Sequence, residues 1–270
     1  MSNRCDYVGT FISKLSEISR SEHRYKIFRD FVDVTALAFT NLDNKPKPND
    51  EYRKIISHYG NDFSVSEKRF SELLSITVNA LEEHSYDFLG DVYMQLDLGK
   101  AHQSQYFTPE PVCALLCRLN LNIEEFKSKP YTTLSEPSCG SGSMIIAYVN
   151  ELKLQGINPQ EKLWVSCVDI DPMVARMCFI QLNLLGIAGE VYIGNTLSMK
   201  MEQRYRTLFH FIGEWDKKFE DEKRLKLMRS FFENDVCSPG TEPIESIDEP
   251  VNIDFDITIP TFSEEQLSFF

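Results

Sequence analysis

The tightest constraint on the fold lies between residues 130 and 197, where short apolar strands alternate with helical runs. TTLSEPSCGSGS reads as a strand entering a glycine turn, and MIIAYVNEL as the helix behind it. KLWVSCVDID is a second strand, followed by helical PMVARMCFIQLNLLG, and EVYIGNTL is a third. This succession predicts a mostly parallel sheet covered by helices, because parallel neighbours need a crossover long enough to hold one.

Three polar elements fall at the ends of those strands. In Glu136-Pro137-Ser138-Cys139-Gly140-Ser141-Gly142 the glycines let backbone approach a ligand where a side chain would intrude. Taken alone, GSG is equally a plain tight turn. The second strand ends in Asp169, which is placed to hold both hydroxyls of a ribose, while Asp171 caps the following helix beside Pro172. The bland alternative is that both acids only cap or solvate the strand end. The third strand delivers Asn195, whose amide suits a purine edge. Ligands of parallel sheets collect at such strand ends.

The rest of the chain divides into expected regions. Residues 1–100 read as helical: Phe70, Leu73, Leu74, Val78 and Leu81 share one helix face behind a Ser64/Glu67 capping box, and IFRDFVDVTALAF suits a buried helix. DNKPKPNDE between them marks a loop. Residues 101–232 form the expected core region, with Gln203 to Phe232 charged and helical in character. Residues 233–270 read as an acidic, proline-interrupted connector, a possible edge strand and a docking tail.

The seven cysteines are scattered and read as small packing residues, Cys113 and Cys117 included, and the five histidines form no cluster; no metal site is expected. A net charge of -13 argues against autonomous tight binding of DNA and for a basic partner subunit. No apolar run is long enough to span a membrane, and the amino terminus lacks the pattern of a secretory signal, so a cytoplasmic location is expected.

From roughly Leu89 to Leu197 the sequence resembles the bacterial DNA adenine-N6 methyltransferases, especially modification subunits of type I restriction systems. That family's Gly-x-x-[Tyr/Phe]-[Phe/Tyr]-Thr-Pro segment corresponds to His102-Gln103-Ser104-Gln105-Tyr106-Phe107-Thr108-Pro109 here. Its Asp-Pro-x-Cys-Gly-Ser-Gly corresponds to Glu136 through Gly142, with glutamate in place of aspartate. Val168-Asp169-Ile170-Asp171-Pro172 and Gly194-Asn195-Thr196-Leu197 match the two later elements. The resemblance implies an α/β, Rossmann-like S-adenosylmethionine (AdoMet)-dependent methyltransferase fold, complete or truncated, with a helical region ahead of it. It also implies AdoMet held by Tyr106, Phe107, Thr108, Glu136, Ser138, Gly140, Gly142, Asp169 and Asn195. From the residues alone, Thr108 is equally a helix cap before Pro109, and the aromatics equally core.

One element of the resemblance is missing. An exocyclic adenine amine becomes nucleophilic only as acceptors take its hydrogens, and the family supplies these from Asn/Asp-Pro-Pro-Tyr/Phe after a fourth strand, with the aromatic stacking on the flipped base. That tetrapeptide does not occur in the sequence. Its nearest echo is Ile259-Pro260-Thr261-Phe262, where isoleucine cannot accept a hydrogen bond from an amine; chance similarity explains the echo equally well. No catalytic residue is assigned. The sequence also leaves little chain for target recognition, a task the family can delegate to another subunit. The favoured expectation is an AdoMet-binding relative, inactive alone or dependent on a modification or specificity subunit that brings DNA. The alternatives are an active site-specific adenine-N6 methylase and a non-catalytic protein of a restriction-modification or replication complex. Methylation of a small molecule or a protein fits the fold but leaves the Thr-Pro segment unexplained. Gln266-Leu267-Ser268-Phe269-Phe270 resembles the short peptides that dock on the bacterial sliding clamp; folding back onto the protein's own surface is its alternative.

Overall fold

The computed structural model describes residues 6–40, 50–97 and 107–235. Tyr106, most of the DNKPKPNDE loop, the echo at Ile259–Phe262 and the tail Gln266–Phe270 lie outside these residues. Contacts divide the chain into a unit ending at Lys223 and a second beginning at Arg224.

The first unit opens with α1 (Tyr7–Ile18), α2 (Arg24–Thr40), α3 (Asp50–His58), α4 (Phe63–Glu83) and α5 (Phe88–Asp97). Phe11, Phe28, Phe31 and Phe88 are fully buried where α1, α2 and α5 meet. The Phe11 ring meets Phe31 edge-on at 5.2 Å and Phe88 at 5.7 Å. Each such ring contributes roughly 1.5–3 kcal/mol by leaving water, which is what holds helices of mixed composition together. The expected Ser64/Glu67 capping box does not form. α4 begins two residues earlier, and Asp62 is its N-cap, accepting from Ser64 N at 3.0 Å and Val65 N at 3.3 Å. Glu67 instead accepts from the Tyr52 hydroxyl at 2.9 Å.

The chain continues through α6 (Glu110–Asn120), α7 (Ile123–Ser128), β1 (Thr132–Glu136), α8 (Ser143–Leu154), α9 (Pro159–Lys162), β2 (Leu163–Asp169), α10 (Pro172–Leu184), β3 (Ala188–Asn195), β4 (Lys200–Arg206), α11 (Leu208–Ile212) and α12 (Trp215–Asp235). The last part of α12 is all that is described of the second unit. Thr108 is not a helix cap, because α6 starts only at Glu110 and takes Pro109 as its cap residue, without a side-chain bond.

The sheet order is β1-β2-β3-β4, parallel across β1, β2 and β3 and antiparallel at β4. The two crossover helices are the ones the sequence marks. β4 is not, since the sequence predicts helix from Gln203 onward. Tertiary contacts override that tendency: Tyr205 is buried and stacks on Phe179 at 5.0 Å, while Arg206 Nε donates to Glu190 of β3 at 2.9 Å.

Register puts Leu163, Val165 and Cys167 on one face of the sheet, all fully buried, and Trp164 on the other. There Trp164 Nε1 donates to His210 Nδ1 at 3.1 Å, and its ring meets Phe219 edge-on at 5.1 Å. The helical region is joined to the sheet layer where α2 packs on α10. Phe39 meets Phe179 there, and Arg176 Nη1 pairs with Asp33 Oδ1 at 2.7 Å. Among the described residues no helix is long and apolar enough to cross a membrane.

The cysteines are less scattered than their spacing suggests. Cys113 and Cys117 pack against Ala147 of α8, and burial pushes the Cys117 thiol up to about 12. Cys139, Cys167 and Cys178, far apart in sequence, bring their sulfurs within 4.8 Å of one another in the core.

Candidate functional site

The turn after β1 is shaped by two glycines in the left-handed region, Gly140 at φ 56° and Gly142 at φ 105°. A Cβ on Gly142 would stand 3.2 Å from Cys178 Sγ, and one on Gly140 would stand 3.3 Å from the Phe107 ring. At both positions the left-handed backbone strains any side chain, and a Cβ would also press its neighbour by a few tenths of an ångström. The buried thiols lie behind this bend and fill the room that Gly142 leaves. Gly142 is also the N-cap of α8 and offers no side-chain acceptor, so the first amides of α8 carry their partial positive charge at the bend.

β2 ends against the same bend. Asp169 is buried; its Oδ2 accepts from Gly140 N at 2.8 Å and its Oδ1 from Asp171 N at 2.9 Å. Each oxygen keeps a further lone pair for a hydroxyl donor. Asp171 caps α10, accepting from Met173 N at 2.8 Å and Val174 N at 3.3 Å. The third strand end closes the group, as Thr196 Oγ1 donates to Pro137 O at 2.6 Å. Asn195 beside it accepts from Ser198 N at 3.1 Å, which forms the turn into β4. The bend, Asp169 and the Asn195–Thr196 end of β3 thus share one end of the sheet. Ile170 and Leu197, which follow Asp169 and Thr196, are 67% and 96% exposed. Large apolar side chains left open beside a polar cradle offer the surface a purine ring needs.

Glu136 accepts from Ser138 N at 3.2 Å. Burial pushes its pKa up; the Ser138 amide opposes the rise and the neighbouring Asp169 charge adds to it. Two carboxylates and the uncapped start of α8 meet here. This suits a ligand that carries ribose hydroxyls, a cationic centre and a carboxylate, and AdoMet carries all three.

A cavity of about 120 Å³ adjoins the bend, lined among others by Asp87, Asp91, Phe107, Thr108 and Ser143. A larger, shallow concavity of about 400 Å³ lies on the α8–α9 loop around Gly156 and Gln160. It gathers none of the residues named from the sequence, whereas the smaller one is lined by Phe107 and Thr108, so chemistry favours the smaller one. Of the residues named from sequence, Phe107, Thr108, Glu136, Ser138, Gly140, Gly142, Asp169 and Asn195 are described, and Tyr106 is not. Phe107 reaches the bend directly, and Thr108 lines the adjoining cavity.

Sequence reasoning missed the support behind the bend. Asp87 accepts from the Ser141 hydroxyl, from Gln181 Nε2 at 2.8 Å and from Gly90 N at 2.9 Å. Gln181 also donates to Ser141 O at 2.8 Å, and its Oε1 accepts from Leu89 N at 3.1 Å. In the sequence Asp87 has only the signature of a turn acid three residues before a glycine.

The chain matches the N-6 DNA Methylase family over residues 84–234, more than half of its length. The chain belongs to that family. Membership implies the AdoMet-binding site typical of the family. Among curated proteins the chain is similar to two from Methanocaldococcus jannaschii. One is the type I restriction enzyme MjaVIII methylase subunit, 30% identical over 153 residues, which are 54% of this chain and 22% of the relative. The other is the MjaIX methylase subunit, 22% identical over 140 residues, 43% of this chain and 24% of the relative. The match thus spans about a quarter or less of each relative's length. Among solved structures, a putative class I AdoMet-dependent methyltransferase from Listeria monocytogenes aligns with a TM-score of 0.43 at 14% identity, over 72% of this chain and 55% of that one.

Proposed function

We propose that this N-6 DNA Methylase family member binds AdoMet at the ends of β1, β2 and β3 and takes part in adenine-N6 DNA methylation only together with a partner polypeptide. The observation that carries the cofactor reading is the Asp169 carboxylate, fixed by Gly140 N and Asp171 N at the meeting point of the bend and the third strand. In this reading Asp169 takes the ribose hydroxyls and Asn195 meets the adenine edge, with Ile170 beneath the ring. Glu136 and Ser138 hold the methionine amine, Gly140 and Gly142 admit the ligand's close approach, and Phe107 and Thr108, which Tyr106 precedes in the sequence, line its methionine and adenosine side. AdoMet, when bound, supplies an electrophilic methyl group on a sulfonium.

Partner dependence rests on the residues that a methylated amine requires. Asn/Asp-Pro-Pro-Tyr/Phe does not occur in the sequence, and Ile259 cannot replace its first residue as an acceptor. A net charge of -13 likewise favours DNA contact through a basic subunit. Tritiated-methyl transfer to unmethylated DNA, measured with and without co-purified partners, tests this reading. Transfer only in the presence of a partner is expected; robust transfer by the isolated chain would overturn it.

A further inference from the structure

We propose that Cys139, Cys167 and Cys178 form a three-sulfur site for a soft monovalent cation, copper(I). The site lies behind the glycine bend and is distinct from the polar cradle at the strand ends.

The three residues come from the turn after β1, from β2 and from α10, so no sequence spacing marks them. Their sulfurs nevertheless converge to within 4.8 Å of one another, and none is bonded in a disulfide. Each thiol hydrogen-bonds to the other two, which places the S–H protons along the edges of the sulfur triangle. A cation at the centre of the triangle takes the place of those protons. With a metal–thiolate bond of about 2.3 Å, a flat three-coordinate site needs sulfurs about 4.0 Å apart. Closing from at most 4.8 Å to that spacing asks each pair for about 0.8 Å or less, which a modest χ1 adjustment supplies.

The donor set selects the cation. Thiolates are soft ligands that favour copper(I) and zinc, and structural zinc sites close with four ligands. Among the described residues no histidine, carboxylate or further cysteine joins the three sulfurs. Cys167 and Cys178 are fully buried and Cys139 nearly so, which keeps water from completing a fourth position. Three sulfurs without a fourth donor suit copper(I). Binding forms three Cu–S bonds, breaks three S–H bonds and releases three protons to solvent, with copper unchanged at +1. The resulting negative charge lies at the start of α8, whose first amides lack a side-chain cap. Cys178 Sγ is 3.2 Å from where a Cβ of its N-cap residue, Gly142, would stand. Cys139, the least buried of the three and next to Gly140, is where ligand exchange with an incoming copper complex starts.

Anaerobic titration of the reduced full chain with copper(I), supplied as its bicinchoninate complex, tests the proposal. One equivalent should leave the indicator, and X-ray absorption of the product should show three sulfurs at about 2.3 Å. Thermal unfolding should shift upward, because a cation held only by the folded cluster stabilises it. Cys5→Ala, Cys113→Ala, Cys117→Ala and Cys237→Ala together remove the other thiols and should leave the bound equivalent and its sulfur count unchanged. Cys178→Ala should lose more than about a hundredfold in copper affinity, since a group that merely orients a metal ligand is worth up to that much. No copper withdrawn by the wild type, a product with two sulfurs, or undiminished affinity in Cys178→Ala would each overturn the proposal and leave the thiols as core packing. If a variant does not fold, the wild-type sulfur count decides: Cys113 and Cys117 together supply two, the cluster three. No nucleoside enters the titration, so its outcome is independent of the AdoMet reading.

Discussion

Two regions of the molecule bury carboxylates in opposite ways. At the seam between α2 and α10, Asp33 is paired with Arg176, so its charge is matched inside the protein. Burial pushes the Asp33 pKa up and the Arg176 charge pulls it back, the balance expected of a finished structural ion pair. At the strand ends, Asp169 is held by two backbone amides and Glu136 by one, and among the described residues neither has a cation at ion-pair distance. Amides orient a carboxylate without cancelling its charge. The first region is complete as it stands, and the second retains an attraction for a ligand.

The largest effect should come from breaking the matched pair. Arg176→Met leaves the partly buried Asp33 with only Arg29, 4.0 Å away, and should cost about 3 kcal/mol of stability, read by chemical denaturation, with AdoMet affinity little changed in the fraction that folds. Gly142→Val comes next. A β-branched residue at φ 105° that also strikes Cys178 should cost about 2 kcal/mol and abolish AdoMet binding as well. Asp169→Asn reverses the emphasis. One backbone amide loses its acceptor, for about 1 kcal/mol, yet calorimetry should show AdoMet affinity down more than about tenfold. If Asp169→Asn destabilises as much as Arg176→Met and leaves affinity intact, the distinction between the two regions fails.

The smallest effect is a pH dependence. Because the folded Glu136 pKa is raised, the folded state takes up its proton before the unfolded chain does. Its contribution to stability is full below the ordinary glutamate value and is lost as pH rises through the raised one. A cationic ligand needs the charged form, so AdoMet affinity should weaken as pH falls through that same raised value. Glu136→Gln should flatten this profile, and an unchanged profile would remove Glu136 from the site.

The three parallel strands and the bend were legible in the sequence because each requirement is local. A glycine stands where a side chain cannot, an acid ends a strand, and apolar runs have helical or extended length. The fourth strand was not legible, since KMEQRYR carries four charged residues in seven and becomes strand only through Tyr205 on Phe179 and Arg206 on Glu190. Asp87 was hidden for a related reason: its partners Ser141 and Gln181 are 54 and 94 positions away, and periodicity carries no information over such separations. The thiols of Cys139, Cys167 and Cys178 likewise meet only because three separate elements converge behind the bend.

A crystal structure of the chain grown with AdoMet tests the central claim most directly. The account predicts the ribose hydroxyls on the Asp169 carboxylate, the adenine against Ile170 and the sulfonium facing the Gly140–Gly142 bend. A ligand bound away from Asp169, or a bend closed against the protein with the nucleoside shut out, would contradict it.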